Sequence, residues 1–140
     1  MKKLFSTESI LQDSGLTAIR IIVGLFLAYH GWEVFDASKM KDYAVWDVFK
    51  ESASPSFMVY LGKGSEFAAG VFLSAGLFTR LACLLIIGTM LYITFFVGHG
   101  KFWYEDQHPF LFALLAAVFF FIGPGKWSID ALAERTYPKK

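Results

Sequence analysis

Four ionisable residues, His30, Glu33, Lys63 and Glu66, sit inside stretches of chain that otherwise carry almost no charge, and His99 and His108 stand at the edges of two more such stretches. A carboxyl group in an apolar, water-poor setting is suited to moving protons, because desolvation works against its charged form. Lys63 precedes Glu66 by three residues, the spacing of a same-helix ion pair, and His30 and Glu33 repeat that spacing. The pattern suggests acid–base work on an apolar ligand. Glu66 and His30 are the candidate acid–base groups, and Glu33, Lys63, His99, Trp103 and His108 are the candidate pocket. Each has a plainer role beside it. The Lys63–Glu66 pair can be a structural tie, and Glu33 can reach for headgroups. His30 can make one hydrogen bond between helices, His99 and His108 can be interfacial histidines, and Trp103 with Tyr104 can belong to an aromatic belt.

Metal chemistry has little support. No two histidines have the spacing of ligands on one helix, and there is no HExxH. A haem between His30 and His99 rests on nothing beyond their shared depth. One cysteine, Cys83, rules out a CxxC pair and an internal disulfide, and it reads as a small apolar residue.

The elements that must hold these residues follow from composition. The chain has 140 residues, 56% hydrophobic and 19% aromatic, with only 18% charged. Soluble domains average roughly 45–50% apolar and about 25% charged. The net charge of +1 carries no nucleic-acid signal, and no nucleic-acid partner is expected. Charge is nearly absent from Gly15 to Val34, Phe57 to Phe78, Leu81 to Val97 and Pro109 to Ile122. A spanning helix needs ~20 apolar residues. The first three stretches are long enough; the fourth needs an extra turn from Trp103–His108 or a thinned bilayer. The expected fold is therefore an all-α integral membrane protein in one domain, an antiparallel bundle of four transmembrane helices at about 15–35, 57–78, 81–98 and 107–122.

Topology then sorts the polar residues. The N-terminus, the turn at Arg80 and the C-terminus share one side, with Lys2, Lys3, Arg80, Lys126, Arg135, Lys139 and Lys140; the other side holds Lys39, Lys41, Lys50 and Lys101. That bias places both termini in the cytoplasm. The three histidines, with Glu33, Lys63 and Glu66, then fall in the outer leaflet, while Arg20 lies near the inner face, close enough to snorkel. Gly62, Glu66, Gly70 and Ser74 form one narrow stripe of small residues that turns Glu66 into the bundle. Thr17, Gly24, Ala28 and Gly31 form a second stripe, off which His30 and Glu33 lie.

The connections are punctuated. Met1-Lys2-Lys3-Leu4-Phe5 is basic like a leader, but Ser6-Thr7-Glu8-Ser9 interrupts any apolar core, so the first helix is expected to be uncleaved. Ala75-Gly76-Leu77-Phe78-Thr79-Arg80 reads as a tight turn between the second and third helices. Asp36–Ser56, with Tyr43, Val45, Trp46 and Phe49, reads as a short amphipathic surface helix. Ser128 is the expected N-cap of a short C-terminal interfacial helix with Asp130 in its first turn.

Taken in order, several pieces resemble the DoxX family of small four-helix bacterial membrane proteins, related to the small subunit of thiosulfate:quinone oxidoreductase. They are Ala18-Ile19-Arg20-Ile21-Ile22-Val23-Gly24 leading to Tyr29-His30-Gly31, Gly64-Ser65-Glu66-Phe67 with Gly70, and the turn Ala75 to Ala82. His99-Gly100 and Gly123-Pro124-Gly125-Lys126-Trp127-Ser128-Ile129-Asp130 complete the set. Val34 stands where the family often carries Lys, a place that Lys63 can fill. The resemblance implies a redox-associated subunit of the bacterial inner membrane, with a quinone or quinol as the candidate cofactor and other membrane or redox subunits as candidate partners beside the lipid bilayer. The rival expectation is a non-catalytic accessory or chaperone-like subunit of a larger complex. A solute carrier is a third, and no pair of broken helices supports it.

Overall fold

The computed structural model describes residues 12–136. The reading of the first residues as no cleavable leader, and the basic residues Lys2, Lys3, Lys139 and Lys140, lie outside the described residues.

All regular structure among the described residues is helical. The helices are α1 (Gln12–Gly31), α2 (Ala37–Ala44), α3 (Asp47–Lys50), α4 (Pro55–Ala75), α5 (Thr79–Tyr92), α6 (Gln107–Ile122) and α7 (Ile129–Thr136). A 3-10 turn at Trp32–Phe35 prolongs α1, and a π turn at Ile93–Val97 prolongs α5. By length and composition, Gln12–Phe35 and Thr79–Val97 are apolar enough to cross a membrane, and α6 is a shorter apolar helix.

Helix ends follow local chemistry. α4 begins at Pro55, ahead of the expected Phe57, because proline suits the first turn, where no N–H is needed. It stops at Ala75, where Gly76 turns left-handed at φ 66°. The Gly76 and Leu77 N–H groups then bond back to the carbonyls of Leu73 and Phe72. α5 starts at Thr79 and widens at Ile93, where the Gly98 N–H reaches the Ile93 carbonyl at 2.7 Å. The single surface helix expected in the first loop is instead two. Asp36 caps α2 by accepting from the Ser38 and Lys39 N–H groups, and Trp46, extended at ψ 145°, separates α2 from α3.

α1 and α4 pack antiparallel at very short range. A Cβ at Gly31 would collide with the Phe67 backbone, and one at Gly70 with the Ala28 backbone. The two small-residue stripes thus meet, which matters because helices in lipid associate through close packing rather than water exclusion. α4 also packs on α5, and α5 on α6, whereas α1 and α6 barely touch. The core between them is built on Leu27, Leu73, Ile86, Ala116 and Phe119, each 2% exposed or less. Met40, Phe49 and Val59 form a second, smaller core beneath α2 and α3. Gly31→Ala should destabilise the fold by about 1–3 kcal/mol, the usual cost of overpacking. Chemical denaturation in detergent would measure it, and an unchanged midpoint would mean that α1 and α4 are not held this closely.

Arg20 does not snorkel. It is 1% exposed, and it donates from Nη1 to the Leu73 carbonyl at 2.9 Å and from Nη2 to the Trp127 carbonyl at 2.8 Å. The Leu73 carbonyl also accepts from the Gly76 N–H, so the guanidinium adds a second donor there and ties in the Trp127 carbonyl ahead of α7. Ser128 caps α7 as expected, accepting from the Ala131 N–H at 3.1 Å. Asp130 does more than face the helix dipole. Its two oxygens accept from the Phe78 and Thr79 N–H groups at 2.8 Å each, which fixes α7 onto the α4–α5 turn.

Candidate functional site

The 3-10 turn after α1 is what brings three of the singled-out residues together. It places Glu33 across from α4, where Lys63 and Glu66 lie one turn apart. The Lys63 ammonium stands 3.1 Å from Glu33 Oε2 and 3.1 Å from Glu66 Oε2, and donates to the His30 carbonyl at 3.4 Å. Glu66 is 4% exposed. Glu33 also accepts from Lys39 Nζ at 2.8 Å and from the Tyr43 hydroxyl at 2.9 Å. Two cations and two carboxylates thus form one network. Burial first, and then the bond to Glu33, push the Tyr43 phenol up, while the bond to Glu33 raises Lys39. Both therefore stay protonated donors at neutral pH.

Lys63 and Glu66 lie on the wall of a cleft of about 550 Å³. Tyr43, Trp46 and Phe49 of the first loop form one side; Gly62 on α4 and Gly88 and Tyr92 on α5 form another. The lining is mainly apolar, so the ion pair is its principal polar feature.

The remaining candidates lie elsewhere. His30 and His108 meet edge to face with ring centres 5.2 Å apart, and His108 also meets Phe112 at 4.9 Å. Both histidines are exposed, and neither lines the cleft. His99 is exposed beside Glu105, its Nδ1 3.6 Å from Oε2. Trp103 is 67% exposed and packs edge-on against Phe102 at 4.8 Å. The structure thus joins Glu33, Lys63 and Glu66, pairs His30 with His108, and leaves His99 and Trp103 in the loop before α6. No group of three or more metal-ligating residues occurs among the described residues.

Sequence reasoning missed Lys39 and Tyr43 as partners of Glu33. The signal was present: Asp36 caps α2, and residues four apart on the helix it starts, such as Lys39 and Tyr43, share a face. Asp106 was missed too. Its Oδ2 accepts from the His99 and Lys101 N–H groups at 2.9 Å each and shapes the loop that carries both.

A family model described as DoxX matches residues 15–99, the stretch that holds the whole Glu33–Lys63–Glu66 network. The inner membrane protein YqjF of Escherichia coli (strain K12) is 29% identical over 137 residues, covering 91% of this chain and 98% of that protein. No solved structure matches.

Proposed function

This chain belongs to the DoxX family, and from that premise we propose that it is a redox-associated protein of the bacterial inner membrane that holds a quinol-type or lipid-like ligand in its apolar cleft. In this reading α1, α4, α5 and α6 each cross the bilayer, and both termini lie in the cytoplasm. The outward faces support it: Ile22, Phe26, Leu61, Leu84, Leu114 and Phe121 are all exposed, an apolar surface that water does not favour. The YqjF name supports the inner membrane as the location. Orientation rests on the excess of Lys and Arg on the side of Arg80, Lys126 and Arg135. Fluorescent protein fused to the C-terminus should therefore be bright, and alkaline phosphatase at the same site inactive; the opposite pair of results would invert the topology.

The observation that carries the ligand reading is a buried carboxylate and its lysine on the wall of an otherwise apolar cleft. Glu66 is the acid–base group, Lys63 pairs with it, and Glu33 anchors Lys63. His30 adjoins the network through its carbonyl, which accepts from Lys63, while its ring pairs with that of His108 outside the cleft. Titrating the purified protein with a short-chain quinol should quench Trp46 fluorescence saturably. Glu66→Gln should weaken binding by about tenfold, the effect of one charge-assisted hydrogen bond. No saturable binding to the wild type would remove the proposal.

A second reading, an accessory subunit of a larger complex, draws on exposed Trp32 and Phe35 packed with half-buried Phe67, ring centres 5.1–5.7 Å apart. Mass spectrometry of gently solubilised protein separates the two. Associated chains with no small molecule favour the accessory role; a retained quinol favours the first.

A further inference from the structure

The hydrogen-bonding capacity of the cleft wall is already partly used, and what remains is selective. A lysine ammonium has three donors. Those of Lys63 face Glu33 Oε2, Glu66 Oε2 and the His30 carbonyl. The Tyr43 hydroxyl proton goes to Glu33, and that of Ser65 to the Leu61 carbonyl. The charged wall therefore has no free donor for an incoming carbonyl or anion. It does have a free acceptor. Lys63 takes Oε2 of Glu66, no described residue bonds Oε1, and that oxygen is not among the sealed polar atoms without a partner. Thr89 on α5 and the indole of Trp46 also line the cleft, but as neutral groups they serve any oxygen and do not discriminate.

Charge points the same way. Lys63 and Glu66 are the charged residues on the cleft wall and offset each other, and Glu33 with half-exposed Lys39 lies behind them, so the wall carries no uncompensated cation. An anionic headgroup therefore finds no free cation to pair with. The floor is open as well: a Cβ added at Gly62 or Gly88 meets nothing within 4 Å.

Building on the ligand reading above, we propose that the cleft selects a neutral amphiphile whose head donates a hydrogen bond to Glu66 Oε1. It thus prefers a dihydroxy ring to the matching dicarbonyl ring and excludes carboxylate heads. Redox-state preference is then a property of the binding site itself: the reduced form has the O–H that the oxidised form lacks.

The test compares three probes on the full-length protein in mild detergent under reducing, oxygen-free conditions: a decyl-substituted hydroquinone, the benzoquinone with the same ring and tail, and decanoate. The benzoquinone is measured separately without reductant. Wild type should bind the hydroquinone about tenfold or more tighter than the benzoquinone, the scale of one bond to a charged acceptor, and decanoate weakest. Glu66→Gln should bring the two ring compounds near parity, because an amide both donates and accepts. Gly88→Leu should lose both by filling the floor. Equal wild-type affinities, or a preference that survives Glu66→Gln, would overturn the selectivity and leave the cleft as a ligand site. Failure of both ring compounds to bind wild type would overturn the ligand reading as well.

Discussion

Lys63→Met is expected to cost about 3–5 kcal/mol of stability, the range for breaking a buried ion pair by removing one partner. Two carboxylates depend on Lys63 unequally. Glu33 keeps Lys39 and Tyr43, whereas Glu66 loses its one ion-pair partner among the described residues and is 4% exposed. Methionine matches the lysine stem in length but offers no donor, so Glu66 must take up a proton or stay charged without compensation. Lys63→Met with Glu66→Gln should recover a large part of the loss, since the stranded charge goes with the second change. Denaturation of the four proteins of this cycle in one detergent measures the coupling. A single-mutant loss below about 1 kcal/mol would place the pair in the class of solvated surface bridges and would remove the basis for treating Glu66 as a held, charged acceptor.

Arg20→Ala should be of similar size, about 3–6 kcal/mol, from two lost bonds at about 1.5–3 kcal/mol each for a charged donor. The guanidinium joins three parts of the chain: α1, which carries it, the end of α4 through Leu73, and the approach to α7 through Trp127. It also lies over Gly76, where an added Cβ would meet the guanidinium itself. Lysine should not rescue the variant, because one ammonium lacks the planar fork that reaches both carbonyls. The local readout is limited proteolysis: cleavage between Ile122 and Ile129 should rise sharply in Arg20→Ala and in Arg20→Lys. Wild-type resistance in both would mean that α7 is held by Asp130 alone.

These two residues show how much was legible in the sequence. Long apolar runs define long helices whatever surrounds them, so α6 could be bounded from its residues alone. The small-residue stripe on α4 foretold the burial of Glu66, whereas its meeting with the stripe on α1 is seen only in the fold. Arg20 was misjudged because an arginine near a membrane edge has two outlets, water and a helix end. Only the position of α4 relative to α1 decides between them. The first loop was only half legible for a related reason. Its apolar residues announce an amphipathic segment, but the break at Trp46 is a backbone choice that hydropathy does not encode. The histidines were grouped by depth alone. Depth says nothing about angular position around the bundle, so His99 was drawn toward His30 when His108 is its neighbour.

The weak contact between α1 and α6 has a mechanical consequence. α1 pairs closely with α4 and α5 with α6, and the α1–α6 edge is joined by the shared core and, near the C-terminal end of α1, by two imidazole rings. That edge is the least closely packed of those between neighbouring long helices. Amide exchange in α6 should accordingly outpace that in α4, and lateral pressure from the bilayer will be borne on that side of the molecule.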